Sequence, residues 1–280
     1  MFDAGLPYDA APKLQRARGA LEVTVRRRDG GTVLEDLRQE GCLKARFPRG
    51  GPAGWHETVV LNASGGVAAG DRLSLRFRLR SGARASMAAQ AAERFYRASP
   101  GDDPALVRAE VRLEPGAAFE WLPQETIVYD NAALDRALDV DMAADASFLA
   151  VESLVFGRSA MGERVQRAML RDRVRVRRGG RLIWHDAVRL TGDIAPTLAR
   201  KAVANGAGAA ASIVYVAPDA EAALTPARAA LDDADAGASA WDGMLVARLL
   251  AADGAALRRL VVALLAVLRG ARSLPRVWRC

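Results

Sequence analysis

The sequence has very few of the side chains that build tight metal sites and nucleophilic catalytic centres. Its 280 residues include only two histidines, His56 and His185, and two cysteines, Cys42 and Cys280. A tetrahedral zinc site or a Ser–His–Asp triad needs several such groups brought together. The cysteines lie far apart and form no Cys-x-x-Cys pair, so neither a disulfide framework nor a zinc ribbon is predicted. We therefore expect no enzyme of these classes.

Long apolar runs are also scarce. The longest run, residues 260–268, is less than half of what a bilayer-crossing helix needs. The first residues carry no basic segment followed by an apolar core, which a secretory signal would have. We therefore expect a cytoplasmic protein with no membrane association.

Basic charge is in excess, and almost all of it comes from arginine. The net charge is +7, although the chain has only three lysines, Lys13, Lys44 and Lys201. Such a surplus favours acidic partners, either nucleic acid or an acidic protein surface. Nucleic-acid binding calls for basic residues clustered with exposed aromatic residues, whereas here the arginines alternate along strands and only 6% of residues are aromatic. A basic nucleic-acid-binding β protein stays as an alternative.

Alternation of apolar and polar residues dominates the first two thirds of the chain. Leu21, Val23 and Val25 alternate with polar residues and precede Asp29-Gly30-Gly31, which indicates a half-buried strand and a hairpin turn. The pattern recurs at short spacing, without regular helices between, up to about residue 190. It favours an antiparallel or coiled all-β body.

The last third mixes helices with strands. Helices are predicted over residues 197–205, from Thr225-Pro226 to Leu231, and over residues 255–268 between an Asp253 cap and Gly270. A short strand is predicted over residues 212–216. The expected organisation is an N-terminal extension, residues 1–20, and one domain, residues 21–280. That domain divides into a β body, residues 21–190, and a mixed α/β part, residues 191–280.

The stretch LNASGGVAAGDRL, residues 61–73, is rich in glycine but lacks the chemistry of a phosphate loop. Asp71 and Arg72 follow Gly70 where a Walker loop has lysine and a hydroxyl residue. The residues after it alternate like a strand, so a dinucleotide fingerprint is also excluded. We interpret Gly65, Gly66 and Gly70 as a bend that places Asp71.

Two further stretches concentrate charged residues. The stretch FEWLPQETIVYD, residues 119–130, contains Glu120, Glu125 and Asp130. Two of these carboxylates could be the general acid and base of a hydrolase. Alternatively, they lie in turns, bind a partner or bind a cation. In FGRSAMGERV, residues 156–165, a loop stapled by an Arg158–Glu163 pair is expected. His185, next to Asp186 on a strand, is expected to be partly buried.

Several of these motifs, in this order, closely resemble the urease accessory protein family UreD, also called UreH. They are SGGVAAGDRL, AAERFYR, EWLPQETIVYD, GRSAMGE, DGMLVARLL and PRVW, and the resemblance runs from Leu21 to the C-terminus. It implies a mainly β fold with a helically coiled, solenoid-like sheet body and a few helices in the C-terminal third. It also implies a non-enzymatic maturation factor that sits on apo-urease and recruits the helical adaptor UreF, which docks the nickel-loaded GTPase UreG.

The resemblance also implies that nickel passes through the interior of the protein, with no tightly bound cofactor. A carrier of Ni²⁺ must release it, so oxygen ligands suit a conduit better than imidazole or thiolate clusters. The residues carried over as a transient nickel route are Asp71, Glu93, Glu125, Asp130 and Glu163. Those carried over for partner binding or loop structure are Gly65, Gly66, Gly70, Arg94, Tyr96, Arg158, Arg276 and Trp278.

The chain departs from the family pattern in two places. Asn62-Ala63 stands where members often have His-Thr, and Arg49 stands where they often have glutamate. Both changes remove a potential nickel ligand. The closing segment LPRVWRC is interpreted either as an exposed docking tail or as a strand tucked into the core.

Overall fold

The protein is described from a computed structural model that covers residues 15–49, 51–158, 161–232, 234–270 and 272–279. Most strands belong to two sheets. Sheet A contains β1 (Arg18–Arg28), β2 (Gly31–Gly41), β5 (Arg72–Leu79), β8 (Ala105–Leu113), β11 (Ala133–Met142), β13 (Arg167–Arg178) and β14 (Arg181–Asp193). Sheet B contains β3 (Leu43–Arg46), β4 (His56–Asn62), β6 (Arg84–Ala89), β9 (Ala118–Leu122), β12 (Ser147–Phe156), β15 (Ala209–Val216), β16 (Ala236–Trp241) and β17 (Met244–Ala251). Of the two short strands, β10 (Thr126–Val128) pairs with β12, and β7 (Glu93–Phe95) pairs with β10.

The middle of the chain alternates between the two sheets. Strand order is β14-β13-β11-β8-β5-β1-β2 in sheet A and β16-β17-β15-β12-β9-β6-β4-β3 in sheet B. Neighbours from β1 to β13 in sheet A are parallel, as are neighbours from β4 to β12 in sheet B. Parallel neighbours need a long crossover, and here each crossover contains a strand of the other sheet. The predicted mainly β class is confirmed, and antiparallel pairing is confined to the outer strands.

Apolar residues fill two separate layers. Between the sheets, inward residues such as Leu75 and Phe77 of β5 meet Phe119 of β9, with the two phenyl centroids 5.3 Å apart. On the other side of sheet B, the apolar face of α3 (Gly254–Arg269) covers β12, β15 and β17. Because β12 is buried on both faces, seven of its ten residues are apolar.

The helices match their predicted positions with one exception. Asp253 Oδ1 accepts a hydrogen bond from the Ala256 amide at 2.8 Å and Gly270 ends α3, so that prediction is confirmed. Helix α2 (Leu224–Ala230) also lies where expected. Helix α1 (Ala195–Ala199) is shorter than predicted because Arg200 is extended and the chain then forms turns to Gly206.

Three smaller expectations change. His185 is exposed rather than partly buried, because it lies on the outer face of sheet A. The closing segment is neither a free tail nor a strand: it forms a short 3-10 helix, Arg276–Trp278, with Trp278 buried. Strand β1 begins at Arg18, slightly before the predicted domain start. No helix in the described ranges is long and apolar enough to cross a membrane.

Candidate functional site

A cluster of three charged side chains lies buried between the two sheets. Arg136 of β11 donates to Asp172 of β13 through Nε at 2.9 Å and also through Nη2. Its Nη2 lies 2.9 Å from Oε2 of Glu152 on β12. Trp121 Nε1 donates to Glu152 Oε1 at 2.8 Å, and Arg136 Nη1 donates to Thr126 Oγ1 at 2.9 Å. Two carboxylates therefore share one guanidinium in the core.

Two cavities meet at this cluster. The first, of about 310 Å³, is lined by Glu93, Asn62, Trp121, Arg136 and Glu152; we call it the Glu93 cavity. The second, of about 290 Å³, is named the Asp186 cavity and is lined by Asp186, Ser212 and Arg248 together with Glu152 and Asp172. Glu152 is common to both linings. The charge cluster therefore separates two hollow regions of the interior.

Burial has a marked effect on the charge of Glu152. Removal from water raises the pKa of this carboxyl to about 7, an effect that Arg136 opposes and the nearby Asp172 reinforces. The cluster contains two carboxyls and one guanidinium, so its net charge is −1 when both carboxyls are ionised. A cation that enters either cavity would compensate that surplus negative charge.

We expect Glu152→Gln to change how stability depends on pH. The pKa of Glu152 is higher in the folded chain than its ordinary value of 4.5. Between pH 4.5 and about 7, Glu152 is therefore protonated in the folded state and ionised in the unfolded state. The contribution of Glu152 to the free energy of unfolding falls as pH rises through that window. Glutamine stays neutral, so the variant should gain stability over the wild type by up to about 3 kcal/mol between pH 5 and pH 8.

Urea unfolding of both proteins at several pH values measures this difference. Glu110→Gln, on the exposed face of sheet A, serves as the matched control and should show no such divergence. Parallel curves for the wild type and Glu152→Gln would contradict a raised pKa for Glu152.

The lining of the Glu93 cavity contains one predicted route residue, Glu93 itself. Burial raises the pKa of Glu93, an effect that Asn62 opposes by donating from Nδ2 to both carboxylate oxygens at 3.3 and 3.4 Å. The same amide donates to the Gly66 carbonyl. Asn62, one of the departures from the family pattern, therefore orients Glu93 and the glycine bend. Exposed Arg94 also lines this cavity.

The glycine bend packs against Tyr96. A Cβ at Gly66, where φ is +142°, would lie 2.4 Å from the Tyr96 ring, so no larger residue fits here. Tyr96 Oη donates to the Gly65 carbonyl at 2.6 Å. Tyr96 also makes an edge-on ring contact with Tyr129, whose face is covered by the Arg158 guanidinium at 4.3 Å.

The loop near Arg158 contains two more predicted route residues. Arg158 Nε donates to Glu163 at 2.7 Å, which confirms the predicted staple and lowers the pKa of Glu163. Burial alone would raise the pKa of the other residue, Asp130. Hydrogen bonds from the backbone amides of Arg167 and Gln166 hold that pKa below its usual range. Residues 159 and 160 of this motif lie outside the described ranges.

The other predicted residues are held in separate contacts. Asp71 accepts hydrogen bonds from the amides of Ala17 and Ala68 at 2.7 and 2.8 Å, so it fastens the bend after Gly70 to the start of β1. Glu125 forms an ion pair with Arg258 of α3 at 3.0 Å.

The closing 3-10 helix is anchored to the loop that carries Glu125. Trp278 Nε1 donates to the Leu122 carbonyl at 3.0 Å, and its ring is covered by Arg258. The Arg276 backbone amide donates to Glu57. Arg276 and Trp278 therefore have structural contacts, and their role toward a partner stays a prediction.

Glu120 lies away from the other two carboxylates of its motif. It is buried beneath α3, where Arg269 and Arg272 donate to it at 2.9 Å. Glu120, Glu125 and Asp130 are thus bound to three different sets of partners. In the part of the chain that the structure describes, no group of three His, Cys, Asp or Glu side chains is placed to hold a metal ion.

Sequence reasoning missed the residues of the central cluster, although the signal was present. Arg136 and Asp172 occupy inward positions of alternating strands, and Glu152 interrupts an apolar run. A charged residue at an apolar position needs a buried partner. Which partner each one meets follows only from the strand order.

Comparison with known proteins agrees with the motifs. The family model described as UreD urease accessory protein matches residues 17–279. A urease accessory protein UreD from Xanthobacter autotrophicus is 47% identical over 94% of this chain and 90% of its own length. Those from Rhizobium leguminosarum bv. trifolii (43% identical; 96% of this chain, 97% of the relative) and Dinoroseobacter shibae (47%; 96% and 94%) are similar. The chain therefore belongs to the UreD family of urease accessory proteins.

Proposed function

We propose that this chain is a non-enzymatic scaffold that binds apo-urease in the cytoplasm and assists nickel delivery to it, together with the adaptor UreF and, through UreF, the GTPase UreG. Support comes from family membership and from the names of the relatives, which describe urease accessory proteins. Nickel is the cargo in this proposal, and no tightly bound cofactor is required.

The observation that carries the nickel role is the meeting of two cavities at Glu152. A hydrated divalent cation entering the Glu93 cavity would find two carboxylates on its lining, the half-buried Glu93 and the buried Glu152. The Asp186 cavity shares the lining residue Glu152 and is also lined by Asp172 and Asp186. Single carboxylates spaced along such a path bind a cation weakly enough to let it move on.

Arg136 limits how firmly the path can hold a cation. Its guanidinium is fixed by Asp172 and Thr126 and lies beside Glu152. A cation at Glu152 is attracted by that carboxylate and repelled by the neighbouring positive charge. The residues of the cluster therefore favour transit over storage, which suits delivery to another protein.

A substitution at Glu93 tests this path. We expect Glu93→Gln to leave binding to purified apo-urease unchanged, while nickel-dependent urease activation falls at least about five-fold, as expected when about 1 kcal/mol of cation stabilisation is lost. Activation is measured as urease activity after incubation of the assembled complex with nickel and bicarbonate. The exposed Glu110→Gln is the matched control.

The loop carboxylates Glu125 and Glu163 form the second arm of the same experiment. Alanine at both positions should leave assembly with urease largely intact and reduce nickel delivery. Unchanged activation in the double variant would exclude the loop carboxylates from the route, and unchanged activation in Glu93→Gln would exclude the Glu93 cavity.

The arginines of sheet A do not favour nucleic acid as the partner. Many of them are already neutralised across the sheet, for example Arg76 by Glu22 and Glu110, and Arg175 by Asp139. A paired guanidinium gains less from a phosphate than a free one. We therefore propose protein partners, with no nucleic-acid or membrane binding.

A further inference from the structure

The outer face of the parallel strands in sheet A is exposed to solvent. Leu75 and Phe77 of β5 pack in the core between the sheets, whereas Arg76 and Arg78 point away from it and are exposed. Helices α2 and α3 pack against strands of sheet B, on the far side of the molecule. Parallel sheets are usually covered on both faces. This outer face is therefore a candidate for contact with another molecule.

Positive charge is concentrated on this face. The register of β5, β8, β11 and β13 aligns their outward residues in four rows of four, which are every second residue of residues 72–78, 106–112, 135–141 and 171–177. We call these sixteen residues the sheet A face. Nine of them are arginine and four are aspartate or glutamate, a surplus of five positive charges in a chain of net charge +7. Such a surplus on one surface favours an acidic partner.

Two adjacent arginines of this face are not neutralised. Arg78 and Arg112 are direct neighbours across β5 and β8, and neither forms an ion pair or a side-chain hydrogen bond with a residue that the structure describes. Arg76, one row away, lies between Glu22 and Glu110 and pairs with both. Like charges on neighbouring strands repel each other. A carboxylate bound between Arg78 and Arg112 would remove that repulsion.

The surface around this pair can receive side chains of a partner. Two open depressions, of about 380 and 520 Å³, both have Arg78 and Arg112 in their linings. Asp141 also lines the larger one, and its cross-strand neighbours are Arg112 and Arg177. The three arginines of this row therefore outnumber its single carboxylate. Guanidinium groups bind carboxylates through two parallel hydrogen bonds, so the row is suited to acidic side chains.

We propose that the sheet A face is the docking surface for apo-urease and that Arg78 and Arg112 bind carboxylates of that protein. The proposal rests on the proposed scaffold function and adds the surface that contacts urease. The six strands from β1 to β14 extend about 24 Å across the sheet, and the four rows extend about 20 Å along it. That area is more than half of the roughly 800 Å² that each partner buries in a typical interface.

Other occupants fit this face less well. A helix of UreF would need an apolar groove, whereas these rows consist mainly of charged residues. A second copy of this chain would bring arginines against arginines. Nucleic acid would find no aromatic residue among the sixteen on which bases could stack. Each of these occupants is an outcome of the test.

The test measures binding of the full chain to purified apo-urease by biolayer interferometry. We expect the double variant Arg78→Glu, Arg112→Glu to weaken binding by about 30-fold or more, because two attractive contacts become repulsive. Most of the loss should appear in the association rate. That rate should also depend less on salt concentration in the variant than in the wild type.

The matched control is the double variant Arg200→Glu, Arg259→Glu. It changes the net charge by the same amount at two exposed arginines outside the sheet A face, one after α1 and one on α3. It should change binding by less than about three-fold. Circular dichroism and thermal unfolding establish that each variant is folded. If the glutamate variant is not, Arg78→Gln, Arg112→Gln decides the result, with an expected loss of about five-fold.

The outcomes separate the two levels of the proposal. If the wild type binds apo-urease and the variants at Arg78 and Arg112 bind it equally well, the docking surface is wrong and the scaffold function stands. If the wild type does not bind apo-urease, the scaffold function fails and this inference fails with it. Weaker binding of the variants to UreF, to duplex DNA or to a second copy, with apo-urease binding retained, would also overturn the assignment.

Discussion

Replacing Arg136 by alanine is expected to lower the free energy of unfolding by about 3–5 kcal/mol at pH 7. The guanidinium lies beside both Asp172 and Glu152, and all three side chains are nearly inaccessible to water. Its removal leaves two carboxyls with no positive partner in the core. Burying an unpaired charge costs far more than the pair gains. Part of the loss will be offset because Glu152 takes up a proton.

The same two strands provide the matched control. Arg175 of β13 pairs with Asp139 of β11 through two contacts, as Arg136 of β11 pairs with Asp172 of β13. Both side chains of the Arg175–Asp139 pair are about one third exposed. Arg175→Ala should therefore cost less than about 1 kcal/mol. Urea denaturation, monitored by circular dichroism, measures the free energy of unfolding of both variants. Equal losses would contradict the greater cost that we assign to breaking the buried pair.

Replacing Glu120 by alanine should destabilise the fold by a similar amount, about 3–5 kcal/mol. Glu120 and Arg269 are almost fully buried between sheet B and α3, and Arg272 donates to the second carboxylate oxygen. Removing the carboxylate leaves the buried Arg269 guanidinium without its anion. The layer formed by α3 and the closing 3-10 helix should loosen first, because Glu120 joins it to the sheet.

Hydrogen exchange measures that local effect and unfolding in urea measures the total. Amides of α3 are expected to lose protection in Glu120→Ala, whereas those of β5 and β8 should keep it. Glu110→Ala is the control because Glu110 and its partner Arg76 are both about half exposed. Equal destabilisation by the two variants would contradict the assignment of Glu120 as a buried anchor.

The strands were predictable because each one carries its own signal. Alternation in residues 21–25 and 73–79, together with turns such as Asp29-Gly30, identifies a half-buried strand without knowledge of its neighbours. The last helix was equally clear, since its cap, apolar stripe and closing glycine are local features. The predicted helix over residues 197–205 was too long. Helical propensity over those residues does not show that the backbone of Arg200 is in a β conformation, which ends helix α1.

The predicted site residues divide according to the range of their contacts. The Arg158–Glu163 staple is local and was correctly anticipated. Glu120 and Arg269 meet across 149 residues, so nothing near Glu120 in the sequence indicates that it anchors a helix. The roles of Asp71, Glu93, Glu125, Asp130 and Glu163 toward nickel stay predictions.

The sequence alone determined the fold class, the scarcity of histidine and cysteine ligands, and the family of this chain. These properties follow from composition, from alternation and from the order of motifs, which belong to single segments or to the chain as a whole. The strand order, the two cavities and the burial of Arg136, Glu152 and Asp172 were decided only by the tertiary structure. The physical reason is that a charged residue on an alternating strand is compatible with either face until its cross-strand neighbours are known. Parallel pairing of β11 with β13, and of β12 with β9, brings those three charges and Trp121 together.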